Sequence, residues 1–151
     1  MLRNDKILPL HVAQSPFLAL IHQECFEKPW EETFFATLLS EEQTICPVVG
    51  WLAVKDEQPA GFILARNQIT QTEILTFCVR PFFQKQGIGA CLLEYLQSNT
   101  SHPLLLEVAV DNQTAISLYQ RHKFEVIGNR PQYYDNCQGA PTSAHVMRYR
   151  T

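Results

Sequence analysis

Residues 73 to 97 limit what this chain can become more than any other stretch. They read Glu73-Ile-Leu-Thr-Phe77-Cys78-Val79, Arg80-Pro81-Phe-Phe, Gln84-Lys85-Gln86-Gly87-Ile88-Gly89-Ala90 and Cys91-Leu-Leu-Glu-Tyr95-Leu96-Gln97. The first piece is short, β-branched and aromatic, and Pro81 ends it; the last carries apolar residues at the helical spacing 88, 91, 92, 95 and 96. A strand therefore feeds a helix through a glycine-containing loop. The first N–H groups of such a helix have no intrahelical partner, and glycines without Cβ let ligand oxygens come close. A phosphate suits that place, and an ordinary strand-turn-helix is the plain alternative.

What the loop lacks narrows the ligand. No Gly-Lys-Ser/Thr follows for a nucleoside-triphosphate loop, and Leu92 stands where a dinucleotide fingerprint needs its third glycine. The chain has 151 residues, the size of one domain spanning 1–151, and with 46% of them hydrophobic it can bury a core. A formal charge of −3 gives no basic field for nucleic acid. The 5 cysteines are odd in number, with no C-x-x-C and no Cys/His pairing at zinc spacing. No metal is expected, and the opening Met-Leu-Arg-Asn-Asp is not an apolar signal segment. No apolar run approaches membrane-spanning length, and a reducing cytoplasm is the expected location.

Along the chain, Ile7 to Leu10 reads as a proline-interrupted strand. Ser15-Pro16 reads as an N-cap and first helical proline, with Phe17, Leu20, Ile21, Glu24 and Cys25 marking the helix. A second helix begins at Trp30, with Phe34, Thr37 and Leu38 on its face. Val48 to Val54 and Gly61 to Arg66 are strands around a polar turn, Lys55 to Ala60. Leu104 to Val110 is a buried strand, Asp111-Asn112 caps a helix through Gln120, and strands follow at 124–128 and 144–150 around a loop, Asn129 to Ser143. This mixture predicts an α+β (mixed α/β) class: a mostly antiparallel sheet of about six to seven strands with about four helices against it.

Glu107 interrupts the most apolar strand. Burial raises a carboxyl toward the range of a general base; pairing with Arg or Lys, or reaching solvent, is the plainer account. Tyr119 lies on the following helix, where its phenol could protonate a departing thiolate or simply pack. Asn112 is a helix cap by position. Glu73 is a second carboxylate at a strand start, where exposure is simpler, and His122 and His145 lack partners at recognisable spacing. Cys78, between Phe77 and Val79, reads as a small apolar residue rather than a nucleophile.

The run Gln84-x-x-Gly87-x-Gly89-Ala90 resembles the pyrophosphate loop of the GNAT N-acetyltransferases. Leu106-Glu107-Val108, Asn112, Ala115-Ile-Ser-Leu-Tyr119, Phe124-Glu-Val-Ile-Gly128 and Arg130-Pro-Gln-Tyr133-Tyr134 resemble the ribosomal-protein-alanine acetyltransferases (RimI-like) within that superfamily, as does Cys25-Phe26-Glu-Lys-Pro29-Trp30. The likeness covers most of 24–38 and 61–135. It implies the GNAT fold, acetyl-CoA as cosubstrate, and a protein N-terminal α-amine as acceptor, in the family the N-terminal alanine of a small-subunit ribosomal protein. By resemblance Glu107 is the general base and Tyr119 the general acid. Phe77, Cys78 and Val79 hold the pantetheine and acetyl carbonyl, Lys85, Gln86, Gly87, Ile88, Gly89 and Ala90 cradle the pyrophosphate, and Asn112 touches the cofactor. Trp30, Tyr133 and Tyr134 wall an acceptor slot or pack under the last loop.

The departures are Arg80 where relatives carry Asp, a single loop cation at Lys85, Ala109 where Arg is common, and Thr142-Ser143 for an acidic pair. They bear on cofactor affinity and on the acceptor. A small amine or lysine acceptor and a non-catalytic coenzyme A module stay open beside the leading reading.

Overall fold

The computed structural model describes residues 5–40, 45–135 and 141–150. In chain order the strands are β1 (Lys6–Pro9), β2 (Val48–Lys55), β3 (Gln58–Asn67), β4 (Thr72–Val79), β5 (Leu104–Ala109), β6 (Glu125–Asp135) and β7 (Pro141–Tyr149). They pair into one 7-stranded sheet in the order β1-β2-β3-β4-β5-β7-β6. The helices are α1 (Ser15–Cys25), α2 (Glu32–Leu39), α3 (Ile88–Ser98) and α4 (Gln113–Arg121), with single 3-10 turns at Val12–Gln14 and Pro81–Phe83. The expected mixed, mostly antiparallel sheet with helices against it is what forms. Among the described residues β4 and β5 are the one parallel pair. α3 is the crossover a parallel pair requires.

Alternation along the strands sends apolar side chains to both faces. On one face Leu104, Leu106 and Val108 meet Leu92, Leu93 and Leu96 of α3 and Ile116 and Tyr119 of α4. On the other, Leu52, Phe62 and Leu64 meet Leu18 and Ile21 of α1 and Phe35 and Leu38 of α2. Phe35, fully buried there, contributes roughly 3 kcal/mol by its area removed from water.

Several boundaries differ from the sequence reading. Ser15 is the first residue of α1 rather than its cap, and its Oγ donates to the Val12 carbonyl at 2.6 Å. The buried stripe of α1 is Ser15, Leu18, Ile21 and His22, while Phe17 and Leu20 are 53% and 61% exposed. Trp30 precedes α2 instead of starting it, and Phe35 rather than Phe34 turns inward. The β2–β3 turn is only Asp56 and Glu57, both at positive φ, so strand pairing reaches Gln58 and Pro59. Most of the expected 129–143 loop is the β6–β7 ladder, where Asn129, Arg130 and Tyr134 face His145, Ala144 and Thr142. Its strands carry Pro, Asn and charged residues in place of an alternating apolar pattern, which hid the hairpin in the sequence.

Candidate active site

β4 and β5 run side by side for only two registered positions, Thr72 with Leu104 and Glu73 with Leu105, and pairing then stops although both strands continue. A gap therefore opens between Leu75–Val79 and Glu107–Ala109. The Arg80 N–H donates to the Ala60 carbonyl on β3 at 2.8 Å. By alternation the polar backbone of Val79 and Phe77 points the other way, toward the gap, and that of Cys78 toward β3. An irregularity at Leu64/Ala65 pairs Thr76 with Leu64 and Ile74 with Ala65, which leaves Leu75 as an extra residue in β4. Such a bulge bends a strand and ends its pairing.

At the mouth of the gap stands the N-terminus of α3. Its cap, Gly87, has φ 83° and offers no side chain, and the first helical bond runs from Cys91 N–H to the Gly87 carbonyl. The N–H groups of Ile88, Gly89 and Ala90 thus precede the helix's own bonding. Lys85 also adopts positive φ, and the glutamines on either side of it brace the turn, Gln84 donating to the Val79 carbonyl and Gln86 to that of Phe82. A Cβ on Gly89 would lie 3.5–3.7 Å from Phe77, Leu118 and Val79, ordinary contact distances. The packing of the protein itself does not demand glycine there. Amides without intrahelical partners, a cap without a side chain and gap-facing backbone fit the pyrophosphate and pantetheine of a coenzyme A thioester.

On the α1/α2 face a cleft of about 230 Å³ is lined by Trp30, Phe34, Leu38, Arg66, Glu73, Ile74, Leu75 and Glu107. Trp30 and Phe34 meet edge to face at 4.8 Å and make its aromatic corner. Glu107 is 22% exposed and its Oε1 accepts from Arg130 Nη1 at 2.6 Å. Arg130 is the partner that the plainer account of this carboxylate anticipates. Glu73 is not a solvent-facing strand start, as expected, but half-buried in the wall of the same cleft.

Tyr119 lies on the opposite face, 8% exposed, with ring centroids 6.2 Å from Phe77 and 5.6 Å from Phe124. Glu107 and Tyr119 therefore do not share a face; they flank the gap from its two sides. Asn112 caps α4, its Oδ1 accepting from Ala115 N–H at 3.2 Å. Tyr133 and Tyr134 fall on β6, and their side chains lie outside the described residues. Cys78 faces α1: hydrogen bonding with Cys25 and then burial push its thiol well above the usual value, while the same bond lowers Cys25. A buried thiol of that kind is no nucleophile. Arg80, the departure from the family pattern, grips Glu24 at 2.7 and 3.2 Å and the Pro59 carbonyl at 2.9 Å.

His22 was missed altogether. It is 3% exposed, accepts from Trp30 N–H through Nδ1 at 3.0 Å and stands 3.0 Å from Thr76 Oγ1 through Nε2. Burial lowers its pKa to about 4. The signal was present in the i, i+3, i+4 spacing of Leu18, Ile21 and His22, which puts the imidazole on the buried stripe.

A sheet splayed between two parallel strands, with a bare helix N-terminus at one end of the split, suits an acyltransferase that takes its acyl group from a coenzyme A thioester. The chain belongs to the acetyltransferase (GNAT) family, whose model matches residues 16–124. It is thus an N-acetyltransferase that uses acetyl-CoA. It is 27% identical over 139 residues to the ribosomal protein bS18-alanine N-acetyltransferase of Escherichia coli, covering 89% of this chain and 90% of that one. The crystal structure of the ribosomal-protein-alanine N-acetyltransferase from Escherichia coli superposes with a TM-score of 0.84 at 26% identity, over 95% of this chain and 92% of that one. Arabidopsis thaliana NAA60 in complex with acetyl-CoA shares the fold, with a TM-score of 0.83 at 21% identity over 97% and 98% of the two chains. An uncharacterized protein of Mycobacterium leprae is 44% identical over 77 residues, 50% of this chain, which spans only 21% of that protein's length.

Proposed function

We propose that this enzyme acetylates the α-amine of a protein N-terminus, with the N-terminal alanine of a small-subunit ribosomal protein as its acceptor in the cytoplasm. The observation that carries the reading is the cleft on the α1/α2 face, where two carboxylates and an aromatic corner stand beside the gap that leads to the cofactor side. It has room for one small residue and its amine, and its carboxylates suit a cation. The 27% identical Escherichia coli relative, which carries an alanine N-acetyltransferase name over nearly its whole length, supports the same acceptor.

Acetyl-CoA supplies an activated acetyl thioester; the protein's residues do the rest. An α-ammonium with a pKa of about 7.7–8.0 is largely protonated at neutral pH and must lose a proton before it can attack. Glu107 receives that proton, directly or through one water, while Trp30 and Phe34 hold the acceptor's first residue. One backbone N–H of the Phe77–Val79 stretch donates toward the acyl oxygen, where charge develops. Tyr119 donates its phenolic proton to the leaving sulfur, and the amides of 85–90 with the Lys85 ammonium hold the diphosphate. Asn112 contacts the cofactor from the start of α4, and Tyr133 and Tyr134 are assigned to the acceptor by the family resemblance alone. The division of Glu107 and Tyr119 between two faces suits direct transfer, because the amine arrives from one side and the thiolate departs toward the other.

The test is a panel of peptides with Ala, Ser, Met and acetyl-Ala N-termini, beside spermidine and an internal-lysine peptide, each incubated with acetyl-CoA and read by mass spectrometry. Acetylation of Ala-initiated peptides at the α-amine, and none of the blocked peptide, is expected. Turnover of spermidine or lysine alone would replace this acceptor with the other.

A further inference from the structure

Trp30, part of the aromatic corner of the cleft, lies in the irregular segment 26–31 between α1 and α2. No ladder or helix runs through such a segment, so its backbone groups need other partners. The Trp30 N–H donates to His22 Nδ1 at 3.0 Å. A ring nitrogen that accepts is unprotonated, so in the neutral imidazole the proton is on Nε2. Nε2 in turn is 3.0 Å from Thr76 Oγ1 and donates to it. Thr76 directly follows the bulge at Leu75, and Leu75 itself lines the cleft. The imidazole also stacks on Trp30 at 5.0 Å and on Phe26 at 4.2 Å, with Phe35 edge-on at 5.4 Å.

An apolar side chain would fill this volume as well as histidine does. Packing alone therefore leaves the residue type unexplained. What a leucine cannot do is accept from a backbone N–H on one side and donate to a hydroxyl on the other. Here those partners are the aromatic wall of the cleft and the strand that borders the gap. Burial supports the arrangement by keeping the ring neutral at working pH, its pKa lowered to about 4.

We propose that His22 is a positioning residue of the acceptor cleft: by joining the Trp30 backbone to Thr76 of β4 it sets where the aromatic wall stands relative to the gap. The inference rests on the cleft being the acceptor site. It predicts a selective defect, because the contacts of His22 all lie on the α1/α2 side and none touches the loop at 84–90.

The experiment compares His22→Leu, His22→Asn, His22→Gln and Thr76→Val in the full chain. Asn places an acceptor near the Nδ1 position and can restore the Trp30 bond; Gln reaches toward Thr76 but not toward Trp30. With an Ala-initiated peptide that wild type turns over, His22→Leu raises the acceptor KM about tenfold, the loss of one well-made hydrogen bond at a wall that must be placed closely. His22→Asn recovers most of it, His22→Gln does not, and the acetyl-CoA KM stays within about twofold in all four. Thr76→Val gives a smaller rise in the acceptor KM than His22→Leu. In parallel, 5-fluorotryptophan labelling gives one ¹⁹F line from each of the 2 tryptophans, and the Trp30 line broadens or splits in His22→Leu but is single in His22→Asn. Equal effects on both KM values, or a fall in melting temperature with no change in the acceptor KM and in the Trp30 line, overturns the proposal and leaves His22 as packing. Should wild type acetylate no peptide, the acceptor reading fails and the Trp30 line alone decides whether His22 places the tryptophan.

Discussion

The two faces of the sheet are built differently. The side proposed to hold the cofactor comes from one contiguous strand-loop-helix stretch, residues 77–98, with Tyr119 added from the helix after β5. The side proposed to hold the acceptor collects residues 22, 30, 34, 66, 73, 76 and 107 from six separate elements or connectors. The first is a local device whose geometry follows from a turn and a helix end. The second exists only once α1 and α2 have docked on β3 and β4, so its geometry depends on tertiary contacts and on the few polar bonds among them.

The sharpest way to break that comparison is at Glu107 and Tyr119, which it assigns to different sides. Glu107→Gln keeps the shape and removes the proton acceptor, so kcat/KM should fall by about 10²–10⁴ while acetyl-CoA affinity holds. Tyr119→Phe keeps the ring among Phe77 and Phe124 and should lower kcat about 10²-fold with the acceptor KM unchanged. Isothermal titration with acetyl-CoA beside steady-state kinetics reads both. If Glu107→Gln loses acetyl-CoA binding, the two faces are not separate in function.

The same contrast explains what the sequence could reveal. The 73–97 stretch was legible because spacing alone sets a strand, a breaker, a glycine turn and an amphipathic helix, and β4 and α3 lie within a residue of where those signals put them. Glu107 was visible as a charge inside an apolar strand, and alternation placed it correctly with Leu105 and Ala109. The acceptor side was read poorly. Phe17 and Leu20 look as buried as Leu18 in a list of apolar residues, yet they face solvent. Glu73 looked exposed because nothing local shows that Trp30 and Phe34 will cover it. His22 carries a signal only when its helical stripe is counted as though it were apolar. The β6–β7 hairpin escaped because its strands carry Pro, Asn and charge in place of an alternating apolar pattern.

Acid should strike the acceptor side first. The His22 pKa of about 4 lies below the ordinary 6.5, so as pH falls the unfolded chain takes the proton before the folded one. The stability this neutral ring provides is whole above about pH 6.5 and is lost progressively down to about pH 4, on the order of 3 kcal/mol across the window. Urea unfolding of wild type and His22→Asn at pH 7.5 and 5 isolates the effect, since carboxylates titrate alike in both. Wild type should lose about 2 kcal/mol more than the variant between those two pH values. Equal losses would mean that the buried ring does not drive the acid sensitivity.

Gly89 sharpens the comparison from the cofactor side. A methyl there meets only ordinary contacts, and alanine favours a helix over glycine by up to about 1 kcal/mol. Gly89→Ala should therefore hold or raise the melting temperature while weakening acetyl-CoA binding about tenfold, by crowding the amides that hold the diphosphate. Gly87→Ala should do the reverse in stability. Its φ of 83° strains any Cβ although the space is open, at a cost of about 1 kcal/mol. Unchanged acetyl-CoA affinity in Gly89→Ala would remove the ligand from the explanation of that glycine.

The smallest effect is expected where the two sides are tied together. Arg80 at the end of β4 holds Glu24 of α1, with side chains 26% and 44% exposed, and its guanidinium carbon lies 5.6 Å from the Phe83 ring centroid. Water and salt screen such a pair, so Arg80→Ala should cost only about 0.5–1 kcal/mol, and less in high salt. The informative readout is binding. Because Glu24 and the Pro59 carbonyl already engage this arginine, it is a tether and not part of the diphosphate cradle, and acetyl-CoA affinity should stay within about twofold of wild type. A loss of affinity in Arg80→Ala with stability intact would move Arg80 from the tether into the cofactor site. It would also show that the single cation at Lys85 is not the only charge the loop brings to its ligand.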